Sequence, residues 1–363
     1  MSFEDFIGNA TAVRDLRRML ANQRLPHALI LAGAQGSGKY TLAQMMAKAM
    51  LCLNPSAKNG LADFCGTCAN CRSIGEADDF ESRFAEAVGA REALREADKR
   101  ETRILMQTHP DVVIVPPDPP QMMIKVDQVR RVTGNLALLP SQGKKKIYIF
   151  TDSCFMKEAA NAVLKALEEP PEFAHFLLLT ANAGELLATI RSRCVMVHLA
   201  PLAAKEIETV LAERRPTLKS AQHALVARLS AGALGRAVTF DLEAYVALRQ
   251  EALALLAAHN RTDHSGMFQA TEEYRSGAAG AERMDKLIRV LYLLLEDLLY
   301  VKSGTAELMQ NSDIIAQLQS FAAGSDFQWL TTAAQQLGAL ESGMRRNLLR
   351  PVALDAFALS LEE

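Results

Sequence analysis

Four thiols within twenty residues are the densest chemistry in this chain of 363 residues. Cys52, Cys65, Cys68 and Cys71 follow the spacing C-x12-C-x2-C-x2-C, with Gly66, Thr67 and Asn70 supplying tight turns between them. Four thiolates so spaced can close one tetrahedral Zn²⁺ site with no open position, which makes the expected metal structural rather than catalytic. The other reading is a set of free surface thiols, which a reducing compartment gives little reason to cluster. Cys154 and Cys194 stand apart and read as small core residues.

A second constellation is Gly33-Ala-Gln-Gly36-Ser-Gly38-Lys39, between an apolar strand and a helical pattern. There, backbone N–H groups and a helix N-terminus cradle phosphates, and the Lys39 ammonium reaches the β- and γ-phosphates. The next position needs a hydroxyl for Mg²⁺ but holds Tyr40. Thr41 comes one place later, about 100° further round the helix. The loop can still bind phosphate, while its metal site is damaged. A hydrolytic site also needs an Asp after a second apolar strand and then an acid to polarise water. Lys146-Ile-Tyr-Ile-Phe-Thr ends in Asp152, but Ser153 follows, so ATP hydrolysis by this chain alone is not expected.

Two basic features remain open. Arg193, in Arg191-Ser192-Arg193-Cys194, either pairs with a nearby acid or reaches a neighbour's γ-phosphate as an arginine finger. Lys144-Lys145-Lys146 reads as the solvated lead-in to a strand, with DNA contact as the alternative. His109 opens a His-Pro-Asp turn.

The elements that must position these residues alternate. Helical patterns at Ala10–Asn22, Lys39–Cys52, Val126–Leu138 and Lys157–Glu168 interleave with apolar strands at His27–Ala32, Val112–Val115, Lys146–Thr151 and Phe176–Thr180. Such alternation predicts a parallel sheet covered by helices, over residues 1–200. Within it, residues 52–71 form the cysteine module. Residues 75–108 form a charged helical insertion with nine acids and six bases between 76 and 103. Phe80, Phe84 and Val88 fall on one face of that insertion, as a narrow packing stripe or a partner-binding face. Strand signals fade after Pro201. A small helical lid over 201–240 and a helical domain over 241–363 follow.

Composition narrows the class. The chain is 49% hydrophobic and 23% charged, with 40 Lys and Arg against 42 Asp and Glu, as in a folded globular protein of two or three domains. The near-neutral balance excludes a chain-wide basic coat, so any nucleic-acid contact is local or belongs to an assembly. No apolar run reaches the roughly 18 to 20 residues a spanning helix needs. Early acids at Glu4 and Asp5 do not fit a signal peptide, and a cytoplasmic location without membrane attachment is expected.

Ordered along the chain, the motifs resemble the AAA+ clamp-loader family of the bacterial DNA polymerase III. They are Phe3-Glu-Asp-Phe-Ile-Gly8-Asn9, Pro26-His27-Ala28-Leu29, the phosphate loop, the four-Cys module and His109-Pro110-Asp111. Further on stand Ile124-Lys-Val-Asp127-Gln128-Val-Arg130, the run from Ala159 through Asn161 and Lys165 to Glu168-Glu169-Pro170-Pro171, and Thr189-Ile-Arg-Ser192-Arg193-Cys194. The resemblance is strong to about residue 240. It implies an AAA+ P-loop domain, a helical lid and a collar domain that oligomerises. It also implies gamma/tau and delta subunits as partners, with a sliding clamp and primed DNA met through the complex. By the same resemblance Thr180 or Asn182 takes the sensor-1 position, Arg236 the sensor-2 position, and Arg193 the finger in trans. The alternatives are a gamma/tau-type ATPase, against which Tyr40 and Ser153 argue, and a stand-alone P-loop NTPase that remodels some protein or nucleic acid.

Overall fold

Short apolar runs bounded by turns become strands buried on both faces, and the longer periodic stretches between them become the covering helices. A computed structural model describes residues 2–257, 271–275, 277–344 and 349–361. The remaining positions of the expected collar, 258–270, 276, 345–348 and 362–363, lie outside the described residues.

The elements run α1 (Ala10–Ala21), β1 (Ala28–Ala32), α2 (Lys39–Leu51), β2 (Ser56–Lys58), β3 (Leu61–Asp63), α3 (Ala69–Gly75), α4 (Phe80–Glu92) and α5 (Glu96–Glu101). Next come β4 (Met106–His109), β5 (Val112–Val115), α6 (Val126–Gly134), β6 (Lys146–Phe150), α7 (Lys157–Glu168), β7 (Ala174–Thr180), α8 (Ala188–Arg191) and β8 (Val195–His198). Six strands form one sheet in the order β4-β5-β6-β7-β1-β8. All neighbours are parallel except the edge pair β4 and β5. Every residue of β1, β6 and β7 is buried. On one face Leu29, Leu31, Ile147 and Leu177 pack on Leu42, Met45 and Met46 of α2. On the other, Ile30, Tyr148, Phe150 and Phe176 meet Val129 of α6 and Val163 of α7. The alternation along each strand therefore builds two cores. This mostly parallel sheet with helices on both faces is the arrangement the alternating pattern implies.

The C-terminal part is helical: α9 (Ala204–Arg214), α10 (Ser220–Leu229), α11 (Leu234–Val238), α12 (Leu242–Leu256), α13 (Gly277–Ser303), α14 (Ile315–Gly324), α15 (Phe327–Met344) and α16 (Arg350–Leu359). Leu256, Leu287, Leu291, Leu294, Leu318, Leu337 and Leu354 form its core. A buried Arg249 pairs there with Asp313 at 2.6 Å. The chain divides into two units. One holds residues up to Ala203 together with Gly232–Arg236, and the other holds Ala204–Ala231 and the chain from Ala237 onward. No helix among the described residues is long and apolar enough to cross a membrane.

Several details differ from the sequence reading. β4 is an antiparallel edge strand that the pattern did not announce. β2 and β3 form a hairpin inside the cysteine module. Helix α6 stops at Gly134 rather than Leu138, and its end explains a second difference. Lys146 is not solvated: it is buried, and its ammonium donates to the carbonyl of Asn135, which caps α6, at 3.1 Å and to that of Leu138, in the turn beyond the helix, at 3.2 Å. Cys154 is exposed rather than a core residue, because it lies on the loop after β6 where its carbonyl accepts from Ile124. The insertion packs as its stripe predicts, with Phe80, Phe84 and Val88 against the α2-side core. Buried Arg91, also on α4, reaches the buried Asp118 at 2.9 Å.

Candidate functional site

The phosphate loop leaves β1 at Gly33, whose N–H donates to Thr180 at the end of β7. Gly36 and Gly38 have φ of 82° and 88°, in the left-handed region that favours glycine. Space makes the same demand. A Cβ on Gly36 would lie 2.7 Å from the Arg236 backbone nitrogen, and one on Gly38 would lie 3.1 Å from the Phe6 ring. Gly38 then opens α2, whose N-terminal N–H groups suit an anion. Lys39 is folded onto the loop: its Nζ donates to Gly33 at 2.6 Å and Ala34 at 2.8 Å. Desolvation lowers the Lys39 pKa below the ordinary lysine value, while Asp152 pulls the other way. Asp152 follows β6, two strands from β1, so the loop, Thr180 and Asp152 end three adjacent strands. Desolvation raises the Asp152 carboxyl against the pull of Lys39.

The loop therefore fits phosphate. The metal ligands do not fit. The Tyr40 hydroxyl donates to the Ala77 carbonyl at 2.6 Å and accepts from Gln44 at 2.6 Å, and its ring lies 5.1 Å from that of Phe80. Tyr40 thus serves the insertion. Thr41 is exposed on the helix. Where a water-polarising acid would stand, the Ser153 hydroxyl is buried with no hydrogen-bond partner among the described residues.

Thr180 and Asn182 close a local turn. Thr180 Oγ1 donates to the Asn182 carbonyl at 3.0 Å, and the Asn182 side chain accepts from Gly184 at 2.9 Å. At the start of α11 the Gly235 N–H donates to the Gly36 carbonyl at 2.8 Å, so the backbone beside Arg236 lies directly on the loop. The reading from residues alone named Arg236 and missed this glycine contact. In the sequence that contact shows only as glycine at both positions; the structure adds that a Cβ on Gly235 would lie 3.0 Å from the Gly36 carbonyl oxygen.

The cysteines meet. The four Sγ atoms lie within 4.8 Å of one another, with Cys52 at 3.5 Å from Cys65 and 4.0 Å from Cys68. A tetrahedral zinc with bonds of about 2.3 Å needs sulfur separations near 3.8 Å, so the donor set fits such an ion. Cys52 caps the C-terminus of α2, Cys68 caps the N-terminus of α3, and Cys71 lies within α3. Backbone N–H groups of Cys65, Cys68 and Cys71 point at the sulfurs of Cys52, Cys65 and Cys68. The amides of Thr67 and Cys68 bring the Cys65 thiol down to about 6, while burial pushes the thiols of Cys52 and Cys71 up, so of these three only Cys65 is disposed to the thiolate without a cation beside it. The module is pinned to α1 by buried Arg17, which donates to Ala62 at 2.9 Å and pairs with Asp63 at 3.4 Å.

Arg193 lies apart from the loop, just after α8. Its Nη1 donates to the Thr189 carbonyl at 2.9 Å and its Nη2 to Glu168 at 2.5 Å. The pairing with an acid is thus present.

The family described as DNA polymerase III, delta subunit, matches residues 8–203. The chain belongs to this clamp-loader family. Among relatives, DNA polymerase III subunit delta' of Bacillus subtilis is 26% identical over 332 residues, covering 91% of this chain and 88% of that protein. Subunit tau of Escherichia coli is 26% identical over 345 residues, which are 93% of this chain but 43% of tau, so this clamp-loader chain spans less than half of that relative. A solved gamma subunit-related protein from Thermotoga maritima is 18% identical, with 96% and 97% of the two chains covered and a TM-score of 0.41.

Proposed function

We propose that this chain is a delta-prime-type clamp-loader subunit that does not hydrolyse ATP by itself. It would act through neighbouring gamma/tau and delta subunits in the cytoplasm, supporting ATP-driven placement of a sliding clamp on primed DNA. The observation that carries the reading is the diversion of Tyr40. Its hydroxyl occupies the Ala77 carbonyl, where an ATPase needs a metal-binding hydroxyl in the loop. Ser153 completes the deficit. In this reading the four-Cys module holds a structural zinc, residues 201–240 form a lid, and residues 241–363 form the collar.

Arg193 is the residue for a neighbour's reaction. It lies between α8 and the start of β8, which runs parallel to β1 with Val195 beside Leu29, so it stands at the end of the sheet opposite the chain's own phosphate loop. Its guanidinium would stabilise charge on a γ-phosphate held by the adjacent subunit, while the chain's own loop at most retains nucleotide. A second reading, in which Arg193 is only an edge arginine, has the Glu168 ion pair in its favour. Arg193→Ala separates them when the loader is reassembled from purified subunits. The finger reading expects intact assembly and a partial fall in clamp- and DNA-stimulated turnover, since a finger worth about 10³-fold acts at one interface among several. Unchanged turnover and loading would return Arg193 to the second reading.

A further inference from the structure

Glu168 is an acid where helix electrostatics disfavour one. It is the last residue of α7, beside the partial negative charge of that helix's C-terminal carbonyls, and Pro170-Pro171 follow close behind. Its Oε1 accepts from Arg193 Nη2 at 2.5 Å. On the other terminal nitrogen, Arg193 Nη1 donates to the Thr189 carbonyl at 2.9 Å and to Ser192 Oγ at 3.4 Å. The guanidinium is thus tied at both terminal nitrogens, and these three contacts leave two of its five N–H donors. The side chains of Arg193 and Glu168 are 34% and 47% exposed, an exposure at which ion pairs add little to stability. Holding the fold together is therefore a poor account of the pair.

We infer that Glu168 is a positioning residue for Arg193, holding the guanidinium in the pose from which its remaining donors meet a phosphate anion on an adjacent subunit. The inference rests on the reading of Arg193 as a finger in trans. An arginine side chain left to wander must be ordered at the moment of use, and that cost falls on the reaction it assists. With Glu168 and the Thr189 carbonyl in place, the ordering precedes the encounter. The cost is a nearby negative charge, so geometry and charge make opposite forecasts for removal of the carboxylate.

The test uses the assembled loader with clamp, primed DNA and ATP, and compares Glu168→Ala, Glu168→Gln, Arg193→Ala and the Glu168→Ala/Arg193→Ala double variant. Assembly is first checked by co-elution. If Glu168→Ala does not assemble, Glu168→Asp, which keeps the charge but shortens the reach, replaces it throughout. Positioning expects Glu168→Ala to lower stimulated turnover about 2- to 5-fold, less than Arg193→Ala, through kcat rather than KM for ATP. Glu168→Gln, which retains an acceptor at the same reach, should recover most of the rate. The double variant should match Arg193→Ala alone. A rise in turnover in Glu168→Ala, no change in it, or a further fall in the double variant overturns the inference. If Arg193→Ala itself changes nothing, the finger reading fails instead, whatever Glu168 does.

Discussion

One helix carries both candidate sites, and its two ends have fared differently. At the C-terminal end of α2, Cys52 joins three other thiols in a set that fits a tetrahedral ion. At the N-terminal end the glycines and Lys39 are in place, but Tyr40 points its hydroxyl elsewhere. The face between the ends accounts for the difference. Tyr40, Gln44 and Lys48 are spaced at i, i+4 and i+8, so they form one ridge along the helix. That ridge faces the insertion: Tyr40 reaches Ala77, Gln44 reaches Tyr40, and Lys48 reaches Asp78 at 2.5 Å. A donor position at one end of α2 has become a packing position for the segment after the cysteines. The lesson is that a backbone cradle, which needs only glycines and a helix start, is independent of the side chain beside it, which here is committed to packing.

The largest expected effect lies at the cysteine end. Purified without chelator, the protein should hold about one zinc per chain, and Cys68→Ser should remove most of it and lower the melting temperature strongly. Elemental analysis and thermal melts measure this, and a metal-free wild-type protein of unchanged stability would break the comparison at its stronger end. Next in size is Tyr40→Thr, which writes a metal-binding hydroxyl back into the loop. It should cost about 2 to 4 kcal/mol in urea melts, from lost ring packing against Phe80 and the lost bond to Ala77. It should yield no phosphate release by the isolated chain, because Ser153 still stands in place of the acid. Turnover in that variant would show that the hydroxyl alone was missing.

Asp111 gives the smallest effect and serves as a control, since its carboxylate bonds neither to the phosphate loop nor to a cysteine. Burial alone would raise its carboxyl, but the amides of Ser141, Gln142 and Gly143, at 2.6, 2.8 and 2.8 Å, outweigh that and hold it below the ordinary carboxylate range. A depressed folded-state pKa adds stability above the unfolded value near about 3.9, and that share is lost as pH falls through the lower folded value. Asp111→Asn should therefore cost about 1 to 2 kcal/mol at neutral pH, a gap that stays level down to about pH 5 and closes below about pH 4. Zinc content should not change. A gap that persists unaltered at pH 3 would mean that the lost amide contacts act through shape rather than charge.

What was legible follows burial. β5 and the body of β6 stood out because strands covered on both faces are unbroken apolar runs, and α7 had matching ends because its stripe is clear. β4 has one neighbour and reads Met-Gln-Thr-His, too short and too polar to separate from the charged segment before it. The β2-β3 hairpin did carry a signal that was passed over. Asn59-Gly60 joins the two strands, and both residues have positive φ, as the tight hairpin turn that favours this dipeptide requires.

The sequence by itself determined which donors exist: four thiols at metal spacing, a glycine cradle with its lysine, and no acid after Asp152. These are properties of residue type at short separation, and no fold can add a group the chain lacks. Only the tertiary structure decided where the donors point. Tyr40 meets Ala77 across 37 positions and Arg193 meets Glu168 across 25. Such separations put the partner in a different element, so the contact depends on how the insertion folds over α2 and how α8 returns beside the end of α7. Local spacing carries no information about either, because periodicity reports which face of an element is buried and not what it is buried against.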